Sequence, residues 1–338
     1  MEAIYKELKK INYPNLEKNI LELGVVEVEK AGNNYLITLN VANKEAYVAI
    51  EKAIKKRLSH LQPTIRPKHQ KRDIHYGTTT NPNNRAPYAK HVIAVTSGKG
   101  GVGKSTISAN LSIALAQKGY SVGLLDADLY GPDIPRLLGV AHERIRWEGE
   151  KMVPATNYGI KIMSVGLTIP SSDTPLVWRS SVAVSALIQL LEDVEWGELD
   201  FLVIDMPPGT GDIQLTIAQE LPISAGVIVT TPQMVAMEDV SKAIRMFQEI
   251  GVHIGGIVEN MSYFLAPDTQ KRYDIFGKDG GKALAKSYSI PFLGEIPLLM
   301  PIREASDMGR PPAAHDQTIR PYYQTIASNL LANLKRDS

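Results

Sequence analysis

Nine residues constrain this chain more than the rest of its length. The apolar run Val92–Thr96 leads through Ser97 into Gly98-Lys99-Gly100-Gly101-Val102-Gly103-Lys104-Ser105-Thr106, and a helical pattern follows through Leu115. A strand, a turn of the form G-x-x-x-x-G-K-S and a helix together make a phosphate-binding loop. Its glycines let backbone N–H groups turn inward around phosphate oxygens, and the helix N-terminus adds partial positive charge. Gly98 through Thr106 are therefore the candidate nucleotide-binding residues. Lys104 is expected on the β- and γ-phosphates, and the Ser105 hydroxyl on Mg²⁺, so ATP and Mg²⁺ are the expected ligands.

From His91 onward the pattern is apolar strand, loop, helix, repeated. Strand candidates are Val92–Thr96, Val122–Asp126, Phe201–Asp205, Gly226–Thr230 and Ile254–Glu259. Each is short and nearly continuously apolar, and each precedes a helical stretch. That predicts an α/β fold, a mostly parallel sheet with helices on both faces. Ligands of such sheets sit at the carboxyl ends of the strands. Ahead of this domain (91–338), residues 1–65 read as a small α/β domain. Alternation over Val25–Val41 around Gly32-Asn33-Asn34 predicts a hairpin. Tyr47, Ile50, Ile54 and Leu58 share one face of a predicted helix over Glu45–Leu58. Residues 66–90 have linker composition and carry Arg66, Lys68, Lys71, Arg72, Arg85 and Lys90. They read as a solvated tether, with a patch for nucleic acid or an acidic partner as the alternative.

Composition narrows the function. Lys plus Arg total 37 and Asp plus Glu 36, for a net charge of +1, so no global field draws the chain to nucleic acid or membrane. Met1–Lys10 is charged and lacks an apolar core, and no uncharged apolar run is long enough to cross a bilayer; the expected address is the cytoplasm. Cys is absent from all 338 residues, which excludes disulfides, thiolate nucleophiles and thiolate metal sites. The seven His are scattered, without ligand spacing.

Two further strand ends are acidic. Val122–Asp126 continues as Asp126-Ala127-Asp128, and Phe201–Asp205 as Met206-Pro207-Pro208-Gly209-Thr210-Gly211-Asp212. Carboxylates beside a triphosphate need a cation or a water to serve. Asp126 is expected to support the metal's water shell and Asp205 to hold Mg²⁺ through water. Capping or turn roles are the alternative for Asp126 and Asp128, and capping is the expectation for Asp212. Pro-Pro-Gly-Thr-Gly reads as a switch, stiff and then flexible, that a γ-phosphate could order.

Lys99, in Lys-Gly-Gly-Val-Gly-Lys-Ser-Thr, makes the loop similar to the deviant loop of the MinD, ParA and nitrogenase-iron-protein class. In that class the early lysine reaches across a dimer interface to the partner's nucleotide. The second acid of the Asp-x-Asp pair positions the hydrolytic water. The resemblance assigns those roles to Lys99 and Asp128 and implies a homodimer. Gly98–Thr106, Asp126–Asp133, Trp196–Asp212, Glu259-Asn260-Met261-Ser262 and Leu293–Leu298 together resemble the Mrp/ApbC family, from about residue 91 to the C-terminus. Asn260 matches the position whose amide reads adenine. Residues 1–65, through Leu21–Val26, resemble the small domain fused ahead of this ATPase in iron–sulfur assembly factors.

The family resemblance implies an ATP-dependent iron–sulfur cluster carrier, a homodimer that delivers clusters to apoproteins. The sequence departs from the family in two places. Where carriers show Cys-Pro-x-Cys, this chain has Ala266-Pro267-Asp268-Thr269, and Trp178-Arg179 is followed by Ser180-Ser181 where the family tends to show Gly-Pro. Neither Ala nor Thr is a soft ligand of the kind clusters require, so this chain alone is expected to hold none. The alternative function is a nucleotide-switched regulator or scaffold engaging protein, DNA or membrane. Tyr322–Leu334 bears on that choice. It is amphipathic with no basic residue on its polar face, which predicts packing on the domain.

Overall fold

The computed structural model describes residues 2–14, 18–23, 25–31, 34–39, 41, 44–61, 63–67, 84–167 and 180–334. The chain forms two units, Met1–His75 and Tyr76–Ser338. In the smaller, α1 (Glu2–Leu8) is followed by β1 (Val26–Ala31), β2 (Asn34–Leu39), α2 (Lys44–Arg57) and β3 (Thr64–Pro67). β1 and β2 pair antiparallel from Val26↔Leu39 to Ala31↔Asn34, and β2 and β3 pair parallel. Ile37, Leu39, Ile50, Ile54 and Leu58 are buried with Ile4 and Leu8 in one small core. Gly32 and Asn33, at the expected turn, lie outside the described residues, as does 68–83 of the basic segment.

In the larger unit the phosphate loop joins β4 (Ala89–Ser97) to α3 (Lys104–Ala116). β5 (Val122–Asp126) and a short helix, α4 (Ile134–Leu137), come next. β6 (Arg146–Glu148) and β7 (Lys151–Val153) form a separate ribbon. β8 (Ala155–Asn157), β9 (Ile160–Ser164), α5 (Ser180–Glu192), β10 (Leu199–Asp205), α6 (Asp212–Glu220), β11 (Ala225–Thr230), α7 (Met234–Glu249) and β12 (Ile254–Glu259) follow. A hairpin of β13 (Phe264–Leu265) and β14 (Arg272–Tyr273) leads to α8 (Gly280–Ser287) and β15 (Phe292–Glu295). α9 (Met300–Asp307), α10 (Pro312–His315) and α11 (Arg320–Leu334) close the order.

Among the described residues the main sheet has the order β15-β12-β11-β4-β10-β5-β9-β8, parallel throughout except for the edge strand β8. All five predicted strands are in it. Alternate residues feed two cores. Ala94, Leu125, Ile204 and Ile228 pack with Leu187, Ile217, Val240 and Phe247 on one face. Ile93, Leu124, Val203 and Val227 pack with Ile107, Leu111, Ile326 and Leu330 on the other. Burial on both faces explains the nearly unbroken apolar runs. α11 buries Tyr323, Ile326, Ala327 and Leu330 against this second face, next to α3 and β15.

Two side chains of the basic segment are held by the larger unit. Arg85 meets Glu192 at 2.8 Å and Glu220 at 3.0 Å, and Lys90 meets Asp200 at 2.7 Å.

Candidate nucleotide site

The loop's shape follows from its glycines. Gly101 and Gly103 adopt φ of +77° and +82°, which side-chain-bearing residues rarely take. A Cβ on Gly103 would also lie 2.2 Å from the Asn260 amide nitrogen, whereas one on Gly100 or Gly101 would meet nothing within 4 Å. One side of the loop is thus packed and the other open, as a phosphate cradle requires. Asn260 follows β12, and its Nδ2 donates to the Val102 carbonyl at 2.9 Å. The structure therefore brings the predicted adenine reader against the loop.

Lys104, Ser105 and Asp205 converge at one point. The Lys104 ammonium lies 2.8 Å from Asp205 Oδ2, with the two side chains 6% and 1% exposed. The Ser105 hydroxyl donates to the same oxygen at 2.7 Å. An ion pair this buried recovers its desolvation cost through such extra hydrogen bonds. Asp205 is in register with Asp126 on β5. Asp126 is fully buried and accepts from the Asp128 N–H at 3.2 Å, the Ile134 N–H at 3.3 Å and Ser164 Oγ at 3.0 Å. Burial, with repulsion from Asp205, pushes its carboxyl well above the usual carboxylate range. Asp128, half-buried, is also raised, chiefly by burial, while Lys104 pulls the other way. Its carboxylate accepts from the Tyr130 and Gly131 N–H groups, which fixes it within its loop.

Lys99 is apart from this group. Its ammonium donates to Gln233 Oε1 at 3.2 Å, within the same chain. Gln233 is the cap position of α7. Thr106 is half-buried, and its carbonyl accepts from Asn110 Nδ2 at 2.8 Å. The Pro-Pro-Gly segment is latched to the loop strand by the Gly209 N–H on the Ser97 carbonyl at 2.9 Å, with Gly209 at φ +95°. The α6 cap position is Gly211, so Asp212 is in the first turn, one residue past its expected place.

Two contributors, Ser108 and Ser164, have no counterpart in the sequence motifs, and a third, Glu259, lies in a motif that assigns it no role. Ser108 donates to Asp205 Oδ1 at 2.6 Å. Ser164 supports Asp126 from the neighbouring strand, its oxygen in turn accepting from the Gly166 N–H at 3.1 Å. Buried Glu259 accepts from Ser262 Oγ and from the Gly281 N–H, each at 2.5 Å, and so ties β12 to the start of α8. The readable signal for Ser108 is weak: it is one of several polar residues, with Asn110 and Ser112, in a helix that is almost wholly buried.

Residues 88–331 match the family model described as ParA: NUBPL iron-transfer P-loop NTPase. The chain belongs to this family. It is 40% identical over 328 residues to the iron-sulfur cluster carrier protein of Synechocystis, covering 92% of this chain and 90% of that protein. It is 49% identical over 228 residues to the carrier of Aquifex aeolicus, covering 67% of this chain but 63% of that protein. Among solved structures it resembles the nucleotide-binding protein of Archaeoglobus fulgidus in complex with ADP, at 40% identity and a TM-score of 0.60, over 67% of this chain and 89% of that one. The chain is thus a P-loop ATPase, and the resemblance carried by its motifs holds.

For Mg²⁺ the residues of this NTPase fit. Ser105, Asp126 and Asp205 offer hard oxygen donors, and the phosphates of the nucleotide complete such a set. For an iron–sulfur cluster they do not. Ala266 and Thr269 lie on the tip of the β13–β14 hairpin, whose turn is closed by the Ala266 N–H on the Lys271 carbonyl at 3.0 Å and the Gln270 N–H on the Ala266 carbonyl at 2.8 Å. No cysteine exists anywhere in the sequence. Among the described residues no group of three or more His, Asp or Glu is placed to hold a metal. The Trp178-Arg179 segment lies outside the described residues. No described helix is long and apolar enough to cross a membrane.

Proposed function

We propose that this chain is the ATP-driven, homodimeric switch of an iron–sulfur transfer system in which another protein supplies the cluster's ligands. One observation carries the reading. Lys104, Ser105 and Asp205 converge at the phosphate loop, while the hairpin that would bear the cluster has no thiol.

The steps follow from the chain's own groups. Gly98 to Thr106 receive the triphosphate through backbone N–H groups, and Asn260 holds the adenine. Lys104 turns from Asp205 to the β- and γ-phosphates. Ser105 and Asp205, with Asp126 behind them, would hold Mg²⁺, which would supply neutralisation of the phosphate charge. Asp128 aligns a water on the γ-phosphate. Lys99 crosses to the nucleotide of a second copy. Its partner here is a neutral amide, and a phosphate is the stronger acceptor for an ammonium. Gly209 and the adjacent prolines follow the γ-phosphate and release after hydrolysis. The acceptors are cytoplasmic apoproteins.

The regulator or scaffold alternative gains nothing from α11, whose Tyr323, Ile326, Ala327 and Leu330 are already buried against the domain. The test is light scattering of the Asp128→Ala protein with Mg-ATP. It should report a dimer that binds ATP without hydrolysing it, and Lys99→Ala should return a monomer. A strictly monomeric, fully active enzyme would refute the shared site.

A further inference from the structure

Asp205 is held by three groups of one helix, and they differ in what else they must do. Lys104 and Ser105 take Oδ2, at 2.8 and 2.7 Å. Both belong to the nucleotide: one serves the phosphates and the other the metal. Their contacts to Asp205 are therefore exchangeable. Ser108 takes Oδ1 at 2.6 Å from one turn further along α3, and it is fully buried. It has no nucleotide to serve.

Its hydroxyl has one proton and two acceptors within reach. The Lys104 carbonyl is at 3.1 Å, the ordinary back-bonding partner of a helical serine. The carboxylate is closer and is the stronger acceptor. The proton therefore goes to Asp205, and the carboxylate plane is pinned at Oδ1 with Oδ2 turned to the loop. Behind Ser108, the Ser112 hydroxyl donates to its carbonyl at 2.7 Å, which keeps this face of α3 polar inside an apolar core.

We propose that Ser108 is a positioning residue for Mg²⁺: it fixes the Asp205 carboxylate while Lys104 and Ser105 exchange partners. This rests on the metal-holding role of Asp205 proposed above. Groups that orient metal-binding carboxylates typically change metal affinity or activity by about 10- to 100-fold when removed.

The experiment titrates a fluorescent ATP analogue into the full chain, with and without Mg²⁺, for Ser108→Ala, Ser108→Thr and Asp205→Asn, each checked by thermal melting. Ser108→Ala should bind the Mg²⁺-free nucleotide within about twofold of the parent. Its half-saturating Mg²⁺ should rise about tenfold and its kcat fall about tenfold. Ser108→Thr, which keeps the hydroxyl, should restore both. Unchanged Mg²⁺ dependence in Ser108→Ala, with Asp205→Asn losing it, would overturn the role of Ser108 alone. Unchanged dependence in Asp205→Asn would overturn the metal role of Asp205 and this inference with it. Equal loss of Mg²⁺-free affinity in the Ala and Thr variants would mark a packing role and also overturn it.

Discussion

Asn260 contacts the phosphate loop, and the β13–β14 hairpin begins shortly after it, yet loop and hairpin are built on opposite terms. At the loop, charge is buried: Asp126 and Asp205 are fully enclosed and each of their carboxylate oxygens has a donor. At the hairpin, Pro267 to Ile275 are exposed, and backbone hydrogen bonds close the turn. Arg272 reinforces the base of the hairpin by lying 3.9 Å over the Tyr263 ring and pairing with Asp274 at 2.8 Å. A substitution at the loop therefore strands a buried charge, which is costly. One at Ala266 or Thr269 strands no charge and reaches at most bonds local to the turn, such as the Lys271 N–H on Thr269 Oγ1 at 3.4 Å. That asymmetry accounts for a chain of this family that keeps its ATPase and lacks the cluster ligands.

The largest effect should come from the loop. Lys104→Ala removes the cation from the phosphates and should lower ATP turnover at least about a hundredfold. It also leaves Asp205 buried without its partner, a loss of about 3–5 kcal/mol, measurable as a lower urea midpoint. Turnover near the parent's would break the assignment. The smallest should come from the hairpin tip. Asp268→Ala removes only local bonds, chiefly that from the Thr269 N–H at 2.9 Å. Stability should stay within about 0.5 kcal/mol, and ATP turnover within about twofold. A loss comparable to that of Lys104→Ala would erase the distinction between the two regions.

The site was legible where chemistry repeats a spacing. Gly98–Thr106 stands out by its glycines. The acids closing Val122–Asp126 and Phe201–Asp205 stand out because a carboxylate at the end of an apolar strand needs a cation, a donor or water close by. The small unit's hairpin and helix follow period-2 and period-3.6 patterns that sequence shows directly. What escaped lacks such a signature. β9 carries Lys161 in a five-residue run, so it does not read as buried, and with it Ser164 went unseen. β15 has four residues, one of them Gly294, at φ +153°. A Cβ there would lie 3.1 Å from Ile326 of α11, so the glycine answers a packing partner far along the chain that no local pattern reveals. Ala89-Lys90-His91 extends β4 through pairing with β10, a tertiary fact that the polar residues disguise. The contact of Lys99 to Gln233 within one chain likewise spans 134 positions.

The central claim is an intact ATPase on a chain that holds no cluster of its own. It is tested most directly by offering this chain iron and sulfide without oxygen, then desalting and assaying iron, sulfide and ATP hydrolysis on the same sample. The prediction is steady hydrolysis with no retained cluster and no charge-transfer absorbance, with or without Mg-ATP, because the chain has no thiolate to offer. A stoichiometric cluster retained by the isolated chain would contradict it.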